Sequence, residues 1–198
     1  MAKSLKQLRE DARACQDCPL WANATQTVFG AGDPHARAML VGEQPGDEED
    51  KKGLPFVGPA GKLLNRALEA AGVDREQLYV TNAVKHFKWQ LRGKRRIHKT
   101  PAQREVDACH QWLEREIATV KPKVIVALGA TAARAVISKD FKVSLQRGQF
   151  VESPLAPFVF ATLHPSALLR VLEEEEREAA FKQFVKDLSL IKKALARS

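Results

Sequence analysis

The chain has 198 residues, 44% hydrophobic and 28% charged, which fits one compact domain over 1–198 and excludes disordered, collagen-like and low-complexity classes. No run of about 18 apolar residues occurs, and the opening Met1–Glu10 stretch lacks the apolar core of a secretory signal, so a cytoplasmic monomer without a membrane span is expected. The net charge of +8 is local: Lys85, Lys88, Arg92, Lys94, Arg95, Arg96 and Lys99 form one stretch without an acidic residue, the footprint of a polyphosphate partner.

In chain order, Leu5 to Ala14 reads as an amphipathic helix running into the clip Cys15-Gln-Asp-Cys18, and Trp21 to Pro34 as a loop. Ala38 to Val41 is a short buried strand, and Gly42 to Pro59 a long loop rich in Gly, Pro and acidic residues. A helix follows over Ala60 to Ala71 with Gly72 at its C′ position, then a strand over Leu78 to Thr81. The basic loop comes next. Thr100 as N-cap, Pro101 at N1 and Gln103 as the reciprocal capping residue open a helix carrying Val106, Cys109, Leu113 and Ile117 at core spacing. Val124 to Leu128 is a third strand, Ala130 to Ile137 a helix, and Phe158 to Thr162 the fourth strand. The last helix starts with Glu173 to Glu176, a solvated first turn, and ends with Lys192, Lys193 and Arg197, a polarity that suits its dipole.

Strands alternating with helices imply a three-layer α/β/α fold around a central four-stranded parallel sheet. In such sheets function collects at the carboxyl ends of the strands. Those ends read Gly42-Glu43-Gln44-Pro45-Gly46, Thr81-Asn82-Ala83-Val84-Lys85-His86, Leu128-Gly129-Ala130-Thr131 and Thr162-Leu163-His164-Pro165-Ser166. A carboxylate, an amide and an imidazole therefore meet on one rim beside the basic stretch. An Asn presents a donor and an acceptor that match the edge of a uracil and mismatch a cytosine. Phe56 could stack on a base taken out of a duplex, a histidine could stabilise charge on a departing base oxygen, and a carboxylate a cationic sugar. Taken singly, Asn82 could satisfy a strand end, Phe56 pack a loop, His164 cap a turn, and His98 contact phosphate. Trp89 could stack on a base or pack beneath the basic loop.

The sequence resembles the uracil-DNA glycosylase superfamily, in particular its iron–sulfur members, through the Cys-x-x-Cys clip, the Gly-Glu-x-Pro-Gly loop, Pro55-Phe56-Val57-Gly58-Pro59-Ala60-Gly61, Thr81-Asn82-Ala83-Val84-Lys85 and His164-Pro165-Ser166. Gln44 and the loop Lys94-Arg95-Arg96-Ile97-His98 make it similar to the UdgX type. The resemblance implies a DNA-repair hydrolase that excises uracil from DNA, single-stranded DNA preferred. Phe56, Asn82, Gln44 and His164 would hold the base, Glu43 would stand at the sugar, and Lys94, Arg95, Arg96 and Ser166 would contact DNA. It implies further that His98 becomes covalently joined to C1′ of the deoxyribose after base loss, in a single turnover. An ordinary glycosylase releasing a free abasic site is the alternative, and a non-catalytic nucleic-acid-binding or redox-sensing module is another of a different class.

Cys15, Cys18 and Cys109 are the only cysteines, too few for four-cysteine ligation. By spacing and chemistry a three-Cys, one-His set suits structural zinc. The resemblance points instead to a 4Fe–4S cluster held by Cys15, Cys18, His86 and Cys109, with His86 where the wider family has its third cysteine.

Overall fold

A computed structural model describes residues 3–197; Met1, Ala2 and Ser198, at the ends of the expected 1–198 domain, lie outside the described residues. The strands are β1 (Ala31–Gly32), β2 (Ala38–Gly42), β3 (Leu78–Asn82), β4 (Trp89–Arg92), β5 (Arg95–His98), β6 (Val124–Leu128) and β7 (Phe158–Thr162). The helices are α1 (Leu5–Arg13), α2 (Asp47–Lys52), α3 (Pro59–Ala70), α4 (Gln103–Val120), α5 (Ala130–Val136), α6 (Val143–Gln146), α7 (Pro165–Leu169), α8 (Glu174–Leu188) and α9 (Leu190–Leu195). Among the described residues no helix is long and apolar enough to cross a membrane.

The central sheet has the order β1-β3-β2-β6-β7, and β3, β2, β6 and β7 are parallel. Their runs of Val, Ile and Leu are continuous rather than alternating because both faces are covered. Leu40, Val80, Val126 and Phe160 pack toward α3, α8 and α9. Met39, Tyr79, Ile125 and Val159 pack on the other face, with Leu113 and Ile117 of α4 and Ala132 and Ala133 of α5. The layered α/β fold is thus present, with one strand more than expected. Within the stretch read as a loop, Ala31 and Gly32 pair antiparallel with Val80 and Tyr79. Two residues carry no periodicity, and Gly32 at φ +128 lies so close to the Leu78 carbonyl that a side chain would collide with it.

Four local readings change. The loop after β2 contains α2, whose first turn holds Asp47, Glu48, Glu49 and Asp50 and whose last turn holds Lys51 and Lys52, each charge at the favourable dipole end. The basic loop is a hairpin: β4 pairs with β5, and Gly93 at φ +61 opens a two-residue turn of the II′ pattern. α4 begins at Gln103 with Ala102 as N-cap, not at Thr100. Its start is fixed by the Glu105 carboxylate, which accepts the Ala102 N–H (2.6 Å) within the first turn and the Lys88 ammonium (2.8 Å) from the residue before β4. The last helix is two, α8 and α9, meeting at Ser189.

The chain passes from β2 to β3 on one side and later to β6 on the other. Strand order reverses at β2, and the crevice outside the carboxyl ends of β2 and β6 is where such a sheet opens to a ligand.

Candidate active site

That crevice is a cavity of about 630 Å³ whose lining includes Glu43, Gln44, Phe56, Asn82, His98, His164 and Ser166, brought from the ends of β2, β3 and β7, the loop before α3 and the hairpin. Glu43 leaves the end of β2. Its Oε1 lies 3.1 Å from His98 Nε2, and its Oε2 accepts the hydroxyl of Thr131, which stands in the first turn of α5. Burial pushes the Glu43 carboxyl up, but the hydrogen bonds from His98 and Thr131 and the neighbouring His98 and His164 outweigh it, so it ends below its ordinary value. Glu43 is an anion at neutral pH.

His164 caps α7. Its Nδ1 accepts the Ser166 backbone N–H (3.2 Å) and lies 2.8 Å from the Ser166 hydroxyl. A ring nitrogen that accepts a backbone N–H carries no proton, so the ring proton sits on Nε2. Burial pushes the imidazole down to about 4, and it is neutral at physiological pH. Its ring centre is 5.9 Å from that of Phe56. Phe56 adopts φ +55, a region that costs a bulky residue about 1–3 kcal/mol. Two glycines leave room for this posture: a side chain on Gly61 would strike the Phe56 carbonyl, and one on Gly42 would strike the Phe56 ring. Glu49 ties the two loops together by accepting the N–H groups of Gly46 (3.1 Å) and Gly58 (2.7 Å). Asn82 is 2% exposed, and its Oδ1 is a buried acceptor without a donor among the described residues. Such an atom costs about 1–3 kcal/mol unless something fills it.

The hairpin is fastened over the cavity mouth by two clamps. Arg96 turns inward rather than outward: its Nε donates to Asp47 (2.6 Å), its Nη1 to the fully buried Asp50 (2.6 Å), and its guanidinium lies 5.4 Å from the ring centres of both Phe87 and Trp89. Trp89 packs below it and donates to the Asn23 carbonyl at 2.9 Å. Gln44 forms the second clamp. Its amide nitrogen donates to the carbonyls of Lys88 (3.2 Å) and Lys99 (3.0 Å), and its oxygen accepts the Lys88 N–H (2.9 Å), so the side chain grips both feet of the hairpin. Lys94 and Arg95 are exposed at the tip, and His98 is carried on the last position of β5.

Residues 29–189 match the Uracil DNA glycosylase superfamily. The chain belongs to the uracil-DNA glycosylase superfamily. It is similar to a type-4 uracil-DNA glycosylase of Thermotoga maritima, 39% identical over 185 residues that cover 93% of each chain. A type-4 uracil-DNA glycosylase of Sulfurisphaera tokodaii is 37% identical over 87% of this chain and 81% of its own. A type-5 uracil-DNA glycosylase of Pyrobaculum aerophilum is 30% identical over 75% of this chain and 69% of its own.

In this member of the superfamily the expected metal ligands fall into one region without forming a single-ion site. Cys15, Cys18 and Cys109 share a small core with Leu8, Val106 and Trp112 that joins α1 to α4. Two sulfurs accept N–H groups, Cys109 from the Lys85 backbone and Cys15 from the Trp112 indole, each at 3.2 Å. His86, the residue after Lys85, is buried, its Nε2 2.9 Å from the Thr27 hydroxyl. Among the described residues no group of three His, Cys, Asp or Glu side chains is gathered closely enough to hold a metal ion.

Sequence reasoning passed over Thr131, Glu49, Asp47 and Asp50. Thr131 is signalled by its place just beyond a strand end, whereas the carboxylates read only as acidic residues of the Gly42–Pro59 loop, and folding sets them against Arg96, Gly46 and Gly58.

Proposed function

We propose that the protein excises uracil from DNA, single-stranded DNA by preference, and that His98 then bonds to C1′ of the vacated deoxyribose, the behaviour of the UdgX type. The observation that carries this reading is the 3.1 Å contact between His98 and Glu43 at the mouth of a cavity whose wall holds the orphaned Asn82 Oδ1. Family membership supports the excision step, and the hairpin geometry supports the trapping step.

A flipped uracil slides against the Phe56 ring. Its N3–H supplies the donor that Asn82 Oδ1 lacks, whereas a cytosine would set an N3 lone pair against that oxygen. The His164 Nε2–H donates to O2, where charge collects as the N-glycosidic bond breaks. A neutral donor serves here because the base departs as an anion. The sugar is left as an oxocarbenium ion, and the Glu43 carboxylate beside it offsets that positive charge. His98 Nε2 gives its proton to Glu43 and bonds to C1′, so that a carbon–nitrogen bond replaces the one lost to uracil and the product is a neutral N-alkyl imidazole. A nucleophile already at the mouth outruns water through effective concentration. Lys94 and Arg95 at the hairpin tip are free to meet phosphates, with Ser166 at the cavity wall.

Cys15, Cys18, Cys109 and His86 hold a 4Fe–4S cluster in this reading. Three sulfurs in one small core, two of them taking N–H donors, supply the ligand chemistry, and a cluster's corners do not require donors to meet at a point. The cluster's part is structural, tying α1 to α4 and to the foot of the hairpin. A brown protein absorbing near ~400 nm supports it, and a colourless iron-free protein refutes it.

The test is incubation with a uracil oligonucleotide followed by intact-protein mass spectrometry and a denaturing gel. The expected result is one DNA-strand mass added per protein, lost in His98→Ser, which releases uracil and leaves a free abasic site. A wild-type protein that turns over excess substrate without an adduct is an ordinary glycosylase. One that releases no uracil from any DNA is a binding or sensing module.

A further inference from the structure

Behind the cavity, α4 and β3 enclose a charge pair that the excision chemistry does not touch. Lys85 and Glu116 are 1% and 0% exposed, with Nζ 2.5 Å from Oε2. Glu116 also accepts the Gly30 N–H (2.9 Å), the Tyr79 hydroxyl (2.8 Å) and the Thr81 hydroxyl (2.9 Å). All three ammonium donors of Lys85 are used: one meets Glu116, one Thr81 Oγ1 at 2.7 Å, and one the backbone carbonyl of Asn82 at 2.6 Å. Two charges taken this far from water cost several kcal/mol each before their attraction is counted, and an apolar pair would fill the same core as stably. Stability alone does not explain the pair.

What the ammonium grips does. Among the described residues the Asn82 side-chain oxygen has no hydrogen-bond donor to aim it. Its direction is inherited from the backbone. On one side that backbone is tied to β2, the Ala83 N–H to the Gly42 carbonyl and the Val84 N–H to the Glu43 carbonyl, both at 2.9 Å. On the other, the Asn82 carbonyl is tied to Lys85. Lys85 is itself immobile: its N–H donates to Cys109 Sγ (3.2 Å) and its carbonyl accepts the Val28 N–H (2.8 Å). We infer that Lys85, charge-balanced by Glu116, is a positioning residue for base recognition, fixing the Asn82 peptide and so the aim of its unpaired amide oxygen. The inference deepens the reading above and rests on Asn82 meeting the base edge.

A double-mutant cycle tests it. Each Lys85 variant also carries Glu116→Gln, so that no charge is left buried alone while Gly30, Tyr79 and Thr81 keep an acceptor, and Asn82→Ala by itself keeps the Lys85–Glu116 pair intact. Lys85→Met and Asn82→Ala are compared singly and together for uracil release under single-turnover and saturating conditions, with a thermal melt for each. Asn82→Ala is expected to slow release about 100-fold and Lys85→Met about tenfold or more, in kcat rather than KM; together they are no slower than Asn82→Ala alone. Lys85→Gln, which returns a neutral N–H donor, recovers part of the loss, and it replaces Lys85→Met in the cycle if that variant does not fold. Additive losses, or a Lys85 variant at full rate, overturn the inference while leaving the base-edge reading intact. An Asn82→Ala protein at full rate overturns the base-edge reading itself.

Discussion

His98 Nε2 stands 3.1 Å from Glu43 Oε1, so an imidazole carried by the hairpin meets a carboxylate carried by the sheet. The carboxylate is held from its other oxygen by Thr131 and sits below its ordinary value, so it stays an anion facing the cationic sugar while its near oxygen lies within reach of the ring proton. Glu43→Gln keeps the size and removes the charge. Single-turnover uracil release should fall about 10²- to 10³-fold, with the oligonucleotide still bound in a mobility-shift assay. Unaltered release would show that the anion is not used.

The hairpin clamps predict a separation of the two chemical steps. Arg96→Met leaves Asp50 with only the Thr25 groups as partners and should cost about 3 kcal/mol in chemical denaturation. Gln44→Ala frees the carbonyls of Lys88 and Lys99 with a smaller loss of stability. Both loosen His98 without touching Phe56, Asn82 or His164. Adduct formation should slow by about 100-fold, while free uracil still appears. Quantifying both products in one time course checks this, and parallel losses would contradict it.

Acid should act on the site through His164 and Glu43 in the same direction. The His164 imidazole is pushed from 6.5 to about 4 by burial, so between these values the unfolded chain takes a proton that the folded one refuses. Its contribution to stability is complete above pH 6.5 and declines by about 1.4 kcal/mol per pH unit as the pH falls toward 4. The lowered carboxyl of Glu43 favours folding above 4.5 and loses that contribution as the pH drops through its folded value. Denaturation midpoints measured from pH 7 to 4 should fall for the wild type and fall less steeply for His164→Asn. Excision should hold until the pH nears 4.

Gly42 is a steric gauge of the base pocket. A methyl group there would lie 2.5 Å from Phe56 Cζ and would also strike the Asn82 amide oxygen, although the Gly42 backbone itself is one that alanine can adopt. Gly42→Ala should therefore abolish uracil release at modest cost in thermal stability, and a fully active Gly42→Ala protein would show that the base does not pass between these two side chains.

The order of elements, the burial of the four parallel strands and the identity of the residues at their ends were legible in the chain itself, because apolar runs of four or five residues and caps such as Gly72 are local signals. The strand-end rule alone brings Glu43, Asn82 and His164 together, since a parallel sheet presents all its carboxyl ends on one side. Local signals end where a residue's partner lies far along the chain. Arg96 reads as one more cation in a basic run, and only folding sets it against Asp47 and Asp50 and turns it into a clamp. Gln44 reads as a pocket residue, and tertiary contact gives its amide to Lys88 and Lys99. The two-residue strand β1 and the Lys85–Glu116 pair have the same origin: hydrogen bonds and charges satisfied across dozens of residues leave no periodicity in the sequence, and only the three-dimensional packing decides them.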